Sequence, residues 1–201
     1  MVSVYSLKPR FQALLRPLVR FLANLRVAAN HVTLLAVILS SLAGASIASY
    51  PEARWPLMLM PLALLVRMAL NAIDGMLARE HGMKSNLGAI LNELGDVASD
   101  IALYLPLALV PGISERWIVS MVILAVVSEM TGVVAVQIGA ARRYDGPMGK
   151  SDRALVLGLF TLLLGLGWFS ARGFNLLLML IAALLVVTIV NRARRALAEA
   201  A

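Results

Sequence analysis

The run from His31 to Pro51, H-V-T-L-L-A-V-I-L-S-S-L-A-G-A-S-I-A-S-Y-P, contains no Asp, Glu, Lys or Arg. A helix crossing a bilayer needs roughly 20 mostly apolar residues. The run has that length, and it lacks the alternation of a barrel strand. Comparable uncharged stretches extend from Trp117 to Glu129 and on to Ala141, from Ala154 to Ala171, and from Gly173 to Val190. Two further apolar segments carry polar residues. Trp55 to Ala78 is interrupted by Arg67 and Asp74, and Gly88 to Pro111 by several acids.

The expectation is an all-α, six-transmembrane-helix bundle forming one membrane domain over residues 1–201. Its spans fall near 31–51, 55–78, 88–111, 117–141, 154–171 and 173–191. Composition agrees: the chain is 61% hydrophobic and 14% charged, with a mean hydropathy of +0.86, whereas soluble domains carry about 25% charged residues. Pro51, Pro111, Gly112 and the Gly146-Pro147 pair punctuate the segment boundaries. No internal repeat or low-complexity linker is visible.

Residues 5–26 mix Lys and Arg with Leu and Phe at helical intervals, and an interfacial amphipathic helix is expected there rather than a solvated one. The opening M-V-S-V-Y-S-L-K-P-R is not expected to be a cleaved signal, because no short apolar core follows its charges. There is no cysteine, hence no disulfide framework and no thiolate metal site.

The net charge of +7 is distributed unevenly. With the N-terminus inside, the inner segments hold Lys8, Arg10, Arg16, Arg20, Arg26, Arg79, Lys84, Arg142, Arg143, Lys150, Arg153, Arg192, Arg194 and Arg195, while the outer turns hold Arg54, Arg116 and Arg172. The positive-inside rule then puts both termini in the cytoplasm, with Trp55, Trp117 and Trp168 in the outer aromatic belt. The basic charge reads as topology and contact with anionic lipid, and no nucleic-acid partner is implied.

A polar constellation stands against this apolar background. In the second span Arg67, Asn71, Asp74 and Ala78 share one helical face, and in the third Gly88, Asn92, Asp96 and Asp100 recur along another. The connector from Glu80 to Leu87 is short, so the two faces should meet near the cytoplasmic surface. Acids inside a membrane are costly and default to function. Carboxylate and amide oxygens without thiolates suit a hard cation, Mg²⁺ or Mn²⁺, and such ions are commonly shared with substrate phosphates. Arg79, Lys84, Arg142, Arg143, Lys150 and Arg153 are candidates to hold further phosphate oxygens. The stretch G-P-M-G-K-S-D-R at 146–153 resembles a loop entering a helix, but it lacks the frame of a nucleotide P-loop.

The spacing D-x2-D-G-x2-A-R-x8-G-x3-D-x3-D marks the class-I CDP-alcohol phosphatidyltransferases. This chain resembles that family at Asp74, Gly75, Ala78, Arg79, Gly88 and Asp96, with Asn71 and Asn92 at the first and third aspartate positions. It looks most like the small bacterial inner-membrane members of the YnbA type. The resemblance implies transfer of a phosphatidyl or related substituted phosphate group from a CDP-diacylglycerol-like lipid to a small alcohol, releasing CMP. It also implies a homodimer with a cytoplasmic active site. Asp96 would be the catalytic base. Asn71, Asp74, Asn92 and Asp96 would occupy the metal-ligand positions. Gly75, Ala78, Arg79, Ser85 and Gly88, with Asn30, His31, Val32 and Thr33, would contact the cytidine diphosphate.

An amide oxygen ligates a hard ion without bringing charge. A second ion is therefore expected to be held less tightly here, unless Glu93 or Asp100 moves in. One ion, or metal bound mainly with substrate, is the alternative to two. A phosphorylated acceptor would suit the basic fourth loop, with Glu129, Arg142, Arg143, Lys150 and Arg153 as acceptor contacts. Two structural alternatives stand beside these roles: Asp100 or Glu129 could instead pair with Arg67, and His31 and His81 suit the interface. Two other functions compete. One is an inactive CDP-lipid-binding protein, suggested by the two asparagines; the other is a small transporter, suggested by Arg67, Asp100 and Glu129 within the bundle.

Overall fold

In the computed structural model, which describes residues 8–201, seven α-helices carry the chain. They are α1 (Lys8–Asn24), α2 (Ala29–Ser49), α3 (Trp55–Glu80), α4 (Asn86–Tyr104), α5 (Glu115–Val134), α6 (Lys150–Gly165) and α7 (Ala171–Ala200). Helix α4 runs on through a 3₁₀ turn at Leu105–Leu109, and α5 through another at Ala135–Ile138. No strand is present among the described residues.

Four helices are long and apolar enough to cross a membrane: α2, α3, α5 with its extension to Ile138, and α7. The six-span expectation is met in part. Helix α4 carries Glu93, Asp96 and Asp100, and α6 has 16 residues, so neither reaches that length and hydropathy. Both lie within the bundle nonetheless. Gly44 of α2 sits so close to α4 that a Cβ there would stand 1.8 Å from the Ala102 carbonyl oxygen. A Cβ on Gly158 of α6 would touch Leu64 and Pro61 of α3. The principal core, which includes Met60, Leu64, Leu107, Ile118, Leu157, Phe174 and Leu185, draws side chains from α3 and α5 through α7 and from the 3₁₀ turn after α4.

Of the expected 5–26 helix, residues 5–7 lie outside the described residues. Residues 8–24 are α1, residues 25–26 form the turn after it, and α1 packs Val19 against a second core containing Ile73, Met76 and Leu77 of α3. Arg16 and Glu80 tie the two helices at 3.0 Å. The far side of α1 exposes Leu14, Leu18 and Phe21.

Helix α6 begins at Lys150 rather than near residue 154, because the Asp152 carboxylate accepts a 3.1 Å hydrogen bond from the Gly149 N–H at the helix start. Helix α7 continues past the expected end at 191 to Ala200. Hydropathy marks the end of the apolar run, and the helix continues beyond it as a basic stem in which Arg192 is buried and Arg194 and Arg195 are exposed.

Candidate active site

The faces of α3 and α4 meet as their spacing requires. Asn71 Nδ2 donates to Asp96 Oδ1 at 2.9 Å. Arg67 Nη2 donates to the Asp96 carbonyl at 2.9 Å, and its Nη1 stands 2.5 Å from Asp100 Oδ1. Arg67 therefore pairs with Asp100, one of its two anticipated partners, and not with Glu129. Helix α2 joins from the other side. Thr33 donates to Asp74 Oδ2 at 2.7 Å, while Asp74 Oδ1 is buried with no hydrogen-bond partner.

The connector between α3 and α4 forms one end of the site. Ser85 caps α4 by accepting a 3.0 Å hydrogen bond from the Gly88 N–H. A Cβ on Gly88 would come within 2.8 Å of Asn30 Oδ1, so glycine lets the starts of α2 and α4 approach. Arg79 folds back along its own helix and lays its guanidinium over Gly75, where a Cβ would meet it at 3.1 Å. Four of the positions anticipated around a nucleotide, Gly75, Arg79, Ser85 and Gly88, thus form one corner with Asn30.

The opposite wall comes from α5, the start of α6 and α7. Lys150 places its ammonium on Asp96 Oδ1. Arg153, fully buried, donates to Asp100 Oδ2 at 2.7 Å and to Glu129 Oε1 at 3.4 Å. Arg192 lies 3.5 Å from the same Glu129 oxygen and donates to the Ser128 carbonyl at 2.5 Å. Arg142 grips both Glu93 oxygens at 2.6 Å, reaches Glu129 Oε2 at 3.3 Å, and covers the Tyr144 ring with its guanidinium carbon 4.4 Å from the centroid. An ionic chain therefore runs Arg67–Asp100–Arg153–Glu129–Arg192 through α3, α4, α6, α5 and α7.

In the loop between α5 and α6, burial alone would weaken the Arg142 cation. The Glu93 carboxylate that it holds, with Tyr144 and Glu129 behind, instead raises its pKa above the ordinary arginine value. Partial burial likewise opposes ionisation of Asp145, but hydrogen bonds from Arg143 and Arg195 prevail and lower its pKa.

These walls enclose a cavity of about 940 Å³. Asn30, Thr33, Asn71, Asp74, Gly75, Ala78, Arg79, Ser85, Gly88, Asn92, Asp96, Glu129, Arg142 and Lys150 line it, so most of the anticipated site residues converge there. Four anticipated residues are not among its lining. Val32 is buried in the core beside α3, facing away from the cavity. His31, its neighbour at the start of α2, is also outside the lining. Arg143 is held by Asp145 and Glu199 near the end of α7, and Arg153 lies behind the wall. Lining residues that the spacing did not single out include Tyr144, Ser151 and Arg192. The loop after α5, the first turn of α6 and the later turns of α7 bring them in, and none shares the periodicity of the α3–α4 pair. Among the described residues, no group of three His, Cys, Asp or Glu side chains gathers as a metal cluster.

Comparison with known proteins shows the fold and the family. The solved phosphatidylinositol phosphate synthase of Mycobacterium tuberculosis, in complex with manganese and citrate, is similar at a TM-score of 0.75 and 19% identity, over 90% of this chain and 87% of that one. The same enzyme with CDP-DAG bound gives a TM-score of 0.73 at 19% identity, over 90% and 92% of the two chains. At such identity these likenesses establish the fold alone. In sequence, inner membrane protein YnbA of Escherichia coli (strain K12) is 44% identical over 198 residues, 98% of this chain and 97% of that protein. A protein of Aquifex aeolicus (strain VF5) is 38% identical over 94 residues, 47% of this chain and 45% of its own. The family model described as CDP-alcohol phosphatidyltransferase matches residues 26–194, and the chain belongs to that family.

Proposed function

We propose that this protein transfers a phosphatidyl or related substituted phosphate group from a CDP-linked lipid to an alcohol, with release of CMP. The observation that carries this reading is the convergence of Asp74, Asp96 and Arg79 on one cavity, at the family's own intervals. The acceptor hydroxyl oxygen forms a bond to the lipid-bearing phosphorus, and the bond from that phosphorus to the oxygen of CMP breaks. The hydroxyl proton passes to the Asp96 carboxylate. Arg79 and Lys84 hold the diphosphate, Ser85 and Asn30 face the nucleotide corner, and Asn71 orients Asp96.

The donor set fits a hard divalent cation. Asp74 offers a buried oxygen that no side chain satisfies, Asp96 a second carboxylate, and Asn71 and Asn92 side-chain amides that line the same cavity. Bound there, Mg²⁺ or Mn²⁺ would neutralise the diphosphate and stabilise the CMP leaving group. Manganese and CDP-DAG in the solved Mycobacterium enzyme support this choice of ion and donor.

The chain works, in this reading, as a single six-span domain of the bacterial inner membrane. Both termini and the cavity face the cytoplasm, α1 lies in the interface, and the family resemblance implies a homodimer. Helices α4 and α6 complete the six spans despite their charges. Their acids turn toward the bundle, and the large apolar side chains that they expose are Leu87, Ile90 and Leu94 on α4 and Leu155 and Leu159 on α6.

A second reading, a CDP-lipid-binding protein without transfer, is favoured by Asn71, Asn92 and the Lys150 contact on Asp96. The carrier reading lacks comparable support, since Arg67, Asp100 and Glu129 belong to the ionic chain. Purified protein supplied with CDP-diacylglycerol, Mn²⁺ and a panel of alcohols is expected to release CMP and form a new phospholipid, identified by mass spectrometry. Saturable donor binding without CMP release would establish the second reading instead.

A further inference from the structure

The fold treats the cations on the two sides of Asp96 differently. On the nucleotide side, Arg79 and Lys84 line the cavity and form no ion pair among the described residues. On the far side every cation is matched. Arg142 is held in a fork by Glu93, Arg153 by Asp100 and Glu129, Arg192 by Glu129, Arg67 by Asp100, and Lys150 by Asp96. Five cations meet four carboxylates there, and three of those cations, Arg67, Arg153 and Arg192, are buried.

The consequence is chemical. A phosphomonoester carries about −1.5 to −2 charge near neutrality. To enter this wall it must displace carboxylates from their guanidinium forks, and the displaced Glu93 and Glu129 then stand beside a dianion where charges are poorly screened. Hydroxyl groups face no such penalty. They donate to Glu129 and accept from Arg142, Lys150 or Arg192 with every ion pair in place. With every pair in place, five cations against four carboxylates leave a surplus of one positive charge, so the acceptor subsite offers hydrogen-bonding partners of both kinds but less positive charge than a phosphomonoester brings negative.

Building on the transfer reading, we infer that the acceptor is an uncharged polyhydroxy alcohol rather than its phosphomonoester, with Glu93 and Glu129 as the residues that set this preference. The basic fourth loop, which in sequence suggests a phosphate site, is thus one whose cations in the site are already engaged by carboxylates.

Two measurements on the full-length protein in nanodiscs test this. The first is equilibrium dialysis with radiolabelled glycerol 3-phosphate. Wild type is expected to retain no more than empty nanodiscs at millimolar ligand. Glu93→Gln/Glu129→Gln, or Glu93→Gln alone if the double variant does not keep the wild-type melting profile, is expected to bind about tenfold more tightly or better. Saturable millimolar or tighter binding by wild type, or no gain in a folded variant, overturns the inference. The second is CMP release from CDP-diacylglycerol with glycerol against glycerol 3-phosphate, and inositol against inositol phosphate. A preference for the uncharged member by about tenfold or more in kcat/KM is expected. A preference for the phosphorylated member overturns the inference and leaves the transfer reading standing. Silence with every acceptor overturns the transfer reading, and the dialysis still decides the charge preference of the wall.

Discussion

Arg153 of α6 donates a 2.7 Å hydrogen bond to Asp100 of α4, and both side chains are buried. Removing one member of such a pair leaves the other charged and dry, at a cost of about 3–5 kcal/mol. Arg153→Met should therefore lower the melting temperature in detergent markedly, whatever its effect on catalysis. A melting temperature equal to wild type would show that the ionic chain does not hold α4, α5 and α6 together.

Thr33 reaches the site from α2 through one hydroxyl. Its 2.7 Å hydrogen bond is the only one that Asp74 accepts from another side chain among the described residues, since Asp74 Oδ1 has no partner. Thr33→Val keeps the shape and removes the donor, at a cost of about 1–3 kcal/mol. Because the hydroxyl also fixes the Asp74 carboxylate, Mn²⁺ affinity followed by electron paramagnetic resonance should fall along with stability. Unchanged Mn²⁺ affinity would show that Thr33 does not position Asp74.

Asp145 supplies the pH dependence that can be read in the loop between α5 and α6. Arg143 and Arg195 bond to its carboxyl and hold its pKa below the ordinary value of 3.8. A depressed folded pKa contributes stability that is complete above the unfolded value and is lost as pH falls through the folded one. The melting-temperature difference between wild type and Asp145→Asn should thus be constant near neutrality and shrink below about pH 4. A difference that grows toward acid would contradict this assignment.

The meeting of α3 with α4 was legible in the sequence because both polar faces keep helical intervals and the connector leaves them little freedom. Arg67 with Asp100 fits the same register, but spacing alone left Glu129 open as a partner. The partner of Arg142 was not legible. Glu93 lies on the same α4 as Asp96, but which carboxylate a loop arginine grips depends on how α5 descends beside α4, and no local spacing encodes that. The partners of Glu129 were not legible either, because its three arginines arrive from the loop, α6 and α7. Helix ends were displaced for a simpler reason. Hydropathy locates the end of an apolar run, whereas Asp152 starts α6 earlier and the stem of α7 continues because Arg192 packs inward against Glu129.

The central claim is that Asp74 and Asp96 support transfer with amides at positions 71 and 92. The measurement that tests it most directly is CMP release from CDP-diacylglycerol with Mn²⁺ and an uncharged polyol, run side by side on wild type, Asp96→Asn and Asn71→Asp/Asn92→Asp. Wild type should release CMP, and Asp96→Asn should be slower by about 10²-fold or more, the usual worth of a general base. Release by the doubly substituted protein alone, with wild type folded and silent, would contradict the account and identify a binding protein that has lost its chemistry.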